Sequence, residues 1–164
     1  MNHSAFLVEL IKGCNFQSYL ELGVYIGETL VPITQIVSKA VGVDVKHHQL
    51  LGPANMYYGT TDEFFAQNTD KFDCIFIDAD HSLRSVISDL RKSLDILNKS
   101  GVIILHDTNP SRKELLEDGY CSNCCLIHDL LDKDSTLNYV TLPFLDPGLT
   151  LITRKFEERY IALT

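Results

Sequence analysis

The sequence predicts an α/β fold with a doubly wound, mostly parallel sheet of seven strands, of which the last is antiparallel. Short apolar runs of strand length recur along the chain, amphipathic segments with helical spacing separate them, and glycine lies at several junctions. Strands that alternate with helices in this way form a parallel sheet through right-handed crossovers.

Length and charge indicate one acidic globular domain spanning residues 1–164. The chain has 22 acidic and 14 basic side chains, a formal net charge of −8, and 45% hydrophobic residues. A chain of this size can bury a full core, and its composition excludes a disordered protein. No basic stripe is present, which argues against nucleic acid as the main partner, because that affinity comes from clustered Lys and Arg.

The same reading favours a cytoplasmic protein that does not contact membranes. The apolar stretches are far shorter than the ~20 residues needed to span a bilayer. Residues 1–13 lack the basic start and cleavage site of a signal peptide. Five cysteines, an odd number, favour reduced thiols over a disulfide scaffold.

The first half of the chain alternates between helix and strand. The predicted elements are a helix over Ser4–Lys12 with Ser4 as its N-cap, a strand over Ser18–Gly23, a helix from near Val31, strands over Val41–Val45 and Met56–Tyr58, and a helix opened by a capping box of Thr60 and Glu63.

The second half carries the strongest signals. Cys74–Ile77 is a continuous apolar run, as expected for a strand covered on both faces. Apolar residues then recur at helical offsets from Leu83 to Leu97, and Ser100-Gly101 is predicted to end that helix. The remaining predicted elements are a strand over Val102–Asp107, a mixed helical region from Ser111 to Lys133, and strands at Tyr139–Leu142 and Leu149–Thr153 that form a hairpin about Asp146-Pro147-Gly148.

Acidic side chains follow these strands at the edge where parallel sheets bind their ligands. They are Glu21, Asp44, Asp62, Asp78, Asp80 and Asp107. Carboxylates at one rim suit a ligand with several hydroxyl and ammonium donors, or a metal ion, and they repel phosphate. Asp78 and Asp80 also stand where they could cap the long helix that follows.

The first turn leaves the kind of nucleoside open. It reads G-x-x-x-G, from Gly23 to Gly27, and not the G-x-G-x-x-G of dinucleotide sites. Asp44 lies 21 residues after Gly23, which fits a carboxylate on ribose hydroxyls in either kind of nucleoside fold. An NAD(P)-dependent oxidoreductase is one alternative, and a non-catalytic cofactor-binding or interaction module is another.

Taken in order, the segments YLELGVYIG, GVDV, FDCIFIDADHS, GVIILHDT and GLTLITRK resemble the class I S-adenosylmethionine-dependent methyltransferases. IDADHS with a downstream HDT resembles the small-molecule O-methyltransferase group of macrocin O-methyltransferases and cephalosporin-hydroxylase-like proteins, the methyltransferase domain 24 type. It is also similar to the cation-dependent catechol and caffeoyl-CoA type. The resemblance covers Tyr19 to Lys155 and implies a Rossmann-like fold and O-methylation of a small molecule.

The resemblance implies a set of residues that bind S-adenosylmethionine. Glu21 and the turn of Gly23, Tyr25 and Gly27 would hold the methionine part, Asp44 the ribose hydroxyls, Thr61 and Asp62 the adenine, and Asp80 the amino group, with Asp78 beside the cofactor.

The resemblance also implies a metal site and a catalytic base. Asp78 and Asp107 would bind a divalent cation such as Mg²⁺, which would lower the pKa of the acceptor hydroxyl. His81, three residues after Asp78, would take the proton. Relatives usually carry Asp-Asn or Glu-Asp after the fifth strand, whereas this chain has His106-Asp107, so a softer metal or no metal is also open.

Two further features carry expectations of their own. Relatives commonly have a longer region before the first strand, so a cover for the site would come from residues 111–133 or from a second subunit in a homodimer, or would be absent. Cys121, Cys124, Cys125 and His128 allow either packing or a zinc site. Packing is favoured, because adjacent residues on a helix point about 100° apart.

Overall fold

The fold is a single seven-stranded sheet, described by a computed structural model for residues 2–117, 120–145 and 147–155. The strand order is β3-β2-β1-β4-β5-β7-β6. The strands are β1 (Ser18–Leu22), β2 (Lys39–Asp44), β3 (Met56–Tyr58), β4 (Phe72–Ile77), β5 (Leu97–Leu105), β6 (Leu137–Leu142) and β7 (Leu149–Arg154). Strands β1 to β5 pair in parallel, while β7 is antiparallel to β5 and β6, so the predicted fold class is confirmed.

Helices cover both faces of the sheet. They are α1 (His3–Cys14), α2 (Leu30–Thr34), α3 (Thr61–Gln67), α4 (Leu83–Ile96) and α5 (His128–Leu131). Alternate residues of each strand face opposite sides, which divides the core into two clusters. Leu20 and Ile75 pack on the side of α3, α4 and α5, whereas Tyr19 and Phe76 pack on the side of α1 and α2.

Two predicted N-caps are wrong. The cap of α1 is Asn2, whose side chain accepts from the backbone N–H of Ala5, while Ser4 is buried and hydrogen-bonds to Thr29. The cap of α4 is Ser82, and neither Asp78 nor Asp80. The two acids thus lie before α4, and the hydroxyl of Ser82 caps its first turn. The capping box predicted at α3 is confirmed, with Thr60 and Glu63 bonded reciprocally.

The junction of α4 and β5 also differs from the prediction. The helix ends at Ile96, and Leu97 already pairs with Phe72 of β4. Ser100 and Gly101 therefore lie inside a strand whose register with β4 shifts. Sheet pairing, and the burial of Leu97 that comes with it, outweighs the helical spacing that Leu97 shares with the preceding residues.

The described residues between 111 and 133, which exclude 118 and 119, form short 3₁₀ turns and one short α-helix in place of a longer helical region. Two 3₁₀ turns, Lys113–Leu116 and Cys124–Ile127, precede α5. In the predicted hairpin turn, Asp146 lies outside the described residues, and β6 and β7 pair from Leu142 and Leu149 onward. None of the described helices has both the length and the hydrophobicity required to cross a bilayer.

Candidate active site

A cleft of about 940 Å³ opens at the carboxyl ends of β1, β2 and β4. Seven acidic side chains line it against two basic ones, Lys46 and Arg84. The acids are Glu21, Glu28, Asp44, Asp62, Asp78, Asp80 and Asp89. This concentration of negative charge favours a cationic ligand rich in hydrogen-bond donors.

Most of the residues predicted to bind the cofactor meet in this cleft. Those that line it are Glu21, Gly23, Tyr25, Asp44, Thr61, Asp62, Asp78 and Asp80. Gly27 is not among the lining residues. Its φ of +81°, which glycine adopts readily, forms part of the turn after β1, and a Cβ there would contact Val31 and Leu50.

Gly23 is required by close packing of two backbones. Its φ is +85°, and a Cβ would lie 2.1 Å from the carbonyl oxygen of Asp78. The end of β1 thus lies against the loop that follows β4, as the parallel pairing of these strands requires. Tyr25 has a φ of +51° and leaves its ring exposed beside His48.

Asp44 holds this turn in place. One carboxylate oxygen accepts from the backbone N–H groups of Val24 and Tyr25 at 3.0 and 2.9 Å, and the other accepts from Lys46 at 2.8 Å. Partial burial raises the pKa of Asp44, but these three backbone hydrogen bonds outweigh it and lower the pKa. Asp44 is therefore a charged structural tie as well as the predicted ribose ligand.

Glu21 is only 2% exposed at the floor of the cleft. The Tyr19 hydroxyl donates to its carboxylate at 2.6 Å. Burial raises the pKa of Glu21 well above its usual range, and the nearby charge of Asp78 adds to the effect.

Asp89 is a cleft residue that the sequence analysis missed. It lies on α4, is 3% exposed, and accepts a hydrogen bond from Thr61. Burial raises its pKa to about 6. A signal for Asp89 was present in the sequence. This acid lies three residues after Val86 and directly before Leu90, which places it on the apolar face of the helix.

The two predicted acids beside Asp89 are more exposed and have partners of their own. Asp62 forms an ion pair with Lys92. Asp80 accepts from the backbone N–H of Ser82 at 2.9 Å and from the Ser85 hydroxyl at 2.8 Å, which fixes the start of α4.

Asp78, His81, His106 and Asp107 form a cluster beside the cleft, here called the Asp–His cluster. Nε2 of His81 lies 3.3 Å from Asp78 and 3.1 Å from Asp107. Nδ1 of His106 lies 3.0 Å from the same oxygen of Asp78, Oδ1, and 3.1 Å from Oδ1 of Asp107. Each carboxylate therefore contacts both imidazoles. Of these four residues, only Asp78 also lines the cleft.

The charges in the Asp–His cluster stabilise one another. Burial would raise the pKa of Asp78, but hydrogen bonds from His106 and His81 lower it to about 2. The hydrogen bond to Asp78 raises the pKa of His81 to about 9, against the effect of burial. A pKa of about 9 places a proton on His81 at neutral pH while its ring faces these two carboxylates.

Asp107 has a strained backbone, with a φ of +61°. The Cys124 thiol donates to its carbonyl oxygen at 2.8 Å. Non-glycine residues in this region of φ are uncommon and often mark functional sites. Residues around the 3₁₀ turn of Cys124–Ile127 therefore support the Asp–His cluster.

The donor set fits a divalent metal ion. Within the described part of the chain, only Asp78, His81 and Asp107 form a group of potential ligands, with ligand atoms within 4.8 Å of one another. Two carboxylates and one imidazole are ordinary ligands for divalent cations. Cys121, Cys124 and His128 form no such group there. The two thiols are buried, and His128 hydrogen-bonds to Thr141 and Thr150.

Comparisons with known proteins agree with this arrangement. A methyltransferase-domain family model, type 24, matches residues 20–108, more than half of the chain. A search of the curated proteins gave no significant match. The family match runs from within β1 to just past β5 and includes the Asp–His cluster and all the residues that line the cleft except His3.

Several solved structures share the fold. The SAH-bound methyltransferase PaMTH1 of Podospora anserina is 18% identical, with a TM-score of 0.74, over 93% of this chain and 78% of that one. The O-methyltransferase of Bacillus cereus in complex with SAH is 15% identical, with a TM-score of 0.71, over 93% and 80%. The O-methyltransferase TomG of Streptomyces achromogenes in complex with SAM is 14% identical, with a TM-score of 0.69, over 93% and 79%.

The fold and the site thus define a Rossmann-like methyltransferase domain. The chain belongs to the methyltransferase-domain family, and the resemblance seen in its sequence motifs is confirmed.

Proposed function

We propose that the protein is an S-adenosylmethionine-dependent methyltransferase that methylates a hydroxyl group of a small molecule. The acidic cleft at the carboxyl ends of the parallel strands carries this proposal. S-adenosylmethionine has a sulfonium, an ammonium and two ribose hydroxyls, so it presents cations and donors to these acids. The O-methyltransferases from B. cereus and S. achromogenes, solved with SAH and SAM, support the same assignment.

The same cleft disfavours an NAD(P)-dependent oxidoreductase. A dinucleotide carries a pyrophosphate that needs backbone N–H groups and positive charge near the first turn. Here two of the N–H groups of that turn, from Val24 and Tyr25, are bonded to Asp44. Asp78 and Glu28 add negative charge on the same wall.

We assign the cofactor contacts to the residues that line the cleft. Asp44 would accept from the ribose hydroxyls, Thr61 and Asp62 would lie beside the adenine, and Glu21, Asp80 and the Gly23 to Tyr25 turn would hold the methionine end. Asp44 can still accept through Oδ1, because this oxygen accepts only from the backbone N–H of Lys46 and a carboxylate oxygen can accept from two donors.

The reaction is an in-line displacement in which the sulfonium supplies the methyl group. The carbon–sulfur bond breaks as the carbon–oxygen bond forms, and the acceptor hydroxyl gives up its proton. The chain must therefore orient the two reactants and remove that proton. Asp78 is the residue that links the cleft to the Asp–His cluster, so the acceptor hydroxyl is placed beside it.

A divalent cation between Asp78 and Asp107 is part of the proposal. Such an ion lowers the pKa of an oxygen bound to it. It would also offset the negative charge of the two acids that face His81. A cytoplasmic location and a homodimer stay predictions of the sequence analysis.

Calorimetric titration with S-adenosylhomocysteine and, separately, with NADH tests the proposal. We expect binding of S-adenosylhomocysteine at one site and no binding of NADH. Binding of NADH alone would replace the proposal with an oxidoreductase. Binding of S-adenosylhomocysteine without methyl transfer to any hydroxyl acceptor would favour a non-catalytic module.

A further inference from the structure

We infer that His81 is the third protein ligand of the cation at Asp78 and Asp107, and that its imidazole makes the site selective for a borderline transition metal such as Zn²⁺ over Mg²⁺. This rests on the cation of the proposed function. It changes the role of His81 from base to metal ligand, so that the proton of the acceptor hydroxyl, acidified by the cation, would pass to solvent water.

The separations of the His81 nitrogen from the two carboxylates are those of a ligand set. Nε2 of His81 is 3.1 Å from Oδ2 of Asp107 and 3.3 Å from Oδ1 of Asp78. Ligand atoms about 2.1 Å from one ion stand about 3.0 to 3.4 Å apart at octahedral to tetrahedral angles. An ion could therefore bind with small side-chain movements.

A hydrogen bond at the second ring nitrogen fixes the orientation of the His81 imidazole. Nδ1 of His81 hydrogen-bonds to the backbone carbonyl oxygen of Tyr120. Since a carbonyl only accepts, Nδ1 must carry the proton, and in the neutral ring the lone pair lies on Nε2. A metal-ligating histidine typically donates its other N–H to such a carbonyl.

The carboxylates are supported in the same way. Nδ1 of His106 lies within hydrogen-bond distance of Oδ1 of both Asp78 and Asp107. Hydrogen bonds to ligating carboxylates are the usual second layer of a metal site. His106 thus acts as a positioning residue for the two carboxylates.

The site keeps an open side. The side chains of Asp78 and His81 are each 26% exposed, whereas that of Asp107 is 7% exposed. Asp78 lines the cleft, so the exposed side faces the space assigned to the reactants. Three protein ligands with an open position are typical of catalytic zinc sites.

The ligand types decide which metal is favoured. Mg²⁺ prefers oxygen ligands and octahedral geometry, and this group offers only two carboxylates. Imidazole nitrogen favours Zn²⁺ and related transition metals. A base, by contrast, needs Nε2 free toward the acceptor, but here Nε2 faces the two carboxylates.

The test is to measure metal binding to the metal-free protein. Calorimetry measures binding of Zn²⁺ and Mg²⁺, and visible absorption spectra measure binding of Co²⁺. We expect one Zn²⁺ site, Mg²⁺ binding at least about 100-fold weaker, and Co²⁺ bands of a low-symmetry site. His81→Asn should weaken Zn²⁺ and Co²⁺ binding by at least about 10-fold and change the Co²⁺ bands.

The matched control is His47→Asn, because His47 is stacked on Tyr58 outside the Asp–His cluster. It should bind Zn²⁺ like the wild type. Unchanged Co²⁺ bands and affinity in His81→Asn would overturn the assignment of His81, and preference for Mg²⁺ would overturn the metal selectivity.

Titration of the same samples with S-adenosylhomocysteine separates this inference from the proposed function. Retained binding in His81→Asn would show that the variant is folded. Zn²⁺ binding through His81 in a protein that does not bind S-adenosylhomocysteine would refute the methyltransferase assignment and leave the metal site standing.

Discussion

Asp89 provides the clearest test at the scale of single residues, because it is buried and the nearby charge of Lys92 only partly offsets the effect of burial. Its pKa is raised from 3.8 to about 6, so the folded protein binds this proton more tightly than the unfolded chain. The stabilisation by the protonated form is complete below about pH 4 and is lost as the pH rises through about 6.

We therefore expect Asp89→Asn to raise the free energy of unfolding by about 2 kcal/mol near pH 8 and to change it little near pH 4. The amide still accepts from Thr61 but carries no charge. Urea denaturation at both pH values measures this. Asp95→Asn, at an exposed position on the same helix, is the control and should leave the stability unchanged. Lower stability of Asp89→Asn near pH 8 would contradict the account.

Asp44 gives a second test at this scale. Asp44→Ala removes three hydrogen bonds to backbone N–H groups and should cost about 1 to 3 kcal/mol of stability, in addition to abolishing binding of S-adenosylhomocysteine. Asp62→Ala is the comparison, because its exposed ion pair with Lys92 contributes little. If Asp44→Ala unfolds at the same urea concentration as the wild type, the carboxylate does not hold the turn.

At the scale of elements, the turn after β1 depends on Gly23. Gly23→Ala would place a Cβ 2.1 Å from a carbonyl oxygen at a φ of +85°, so β1 and the loop after β4 must separate. We expect a loss of at least about 2 kcal/mol and of S-adenosylhomocysteine binding. Thermal melts with and without this ligand measure both.

Gly13→Ala is the matched control for that substitution. Gly13 lies in α1, and a Cβ there meets nothing within 4 Å, so alanine should stabilise the helix by about 0.5 to 1 kcal/mol. A Gly23→Ala protein as stable as the wild type would show that the two backbones do not need this approach.

Sequence patterns correctly predicted the elements whose formation depends only on residues that are close in the chain. The capping box at Thr60 and Glu63 and the periodicity from Leu83 onward needed no partner elsewhere in the chain, and both were correct. The α4–β5 junction was wrong, because pairing of Leu97 with Phe72 depends on a strand 25 residues away.

The candidate active site likewise combines features that depend on nearby residues with features that depend on distant ones. Acids at strand ends could be grouped from the sequence, because parallel strands end at one edge. The positions of Asp89 beneath the cleft and of His106 behind the carboxylates could not. These positions depend on how α4 packs on the sheet and on how the backbone turns at Asp107.

On the scale of the whole molecule, the net charge of −8 is concentrated where the ligand is proposed to bind. S-adenosylmethionine carries one more positive charge than S-adenosylhomocysteine. Raising the salt from about 0.01 M to about 1 M shortens the Debye length from about 30 Å to about 3 Å. We expect calorimetry to show that salt weakens binding of S-adenosylmethionine more than binding of S-adenosylhomocysteine. Equal salt dependence would mean that the sulfonium does not lie in the field of these acids.

The most direct measurement is a crystal structure of the protein grown with S-adenosylhomocysteine. The account predicts the ligand in the cleft, with its ribose hydroxyls within hydrogen-bond distance of Asp44 and its sulfur closer to Asp78 than to Asp62. A ligand bound elsewhere, or bound in the cleft with its ribose away from Asp44, would contradict the assignment of this cleft as the cofactor site.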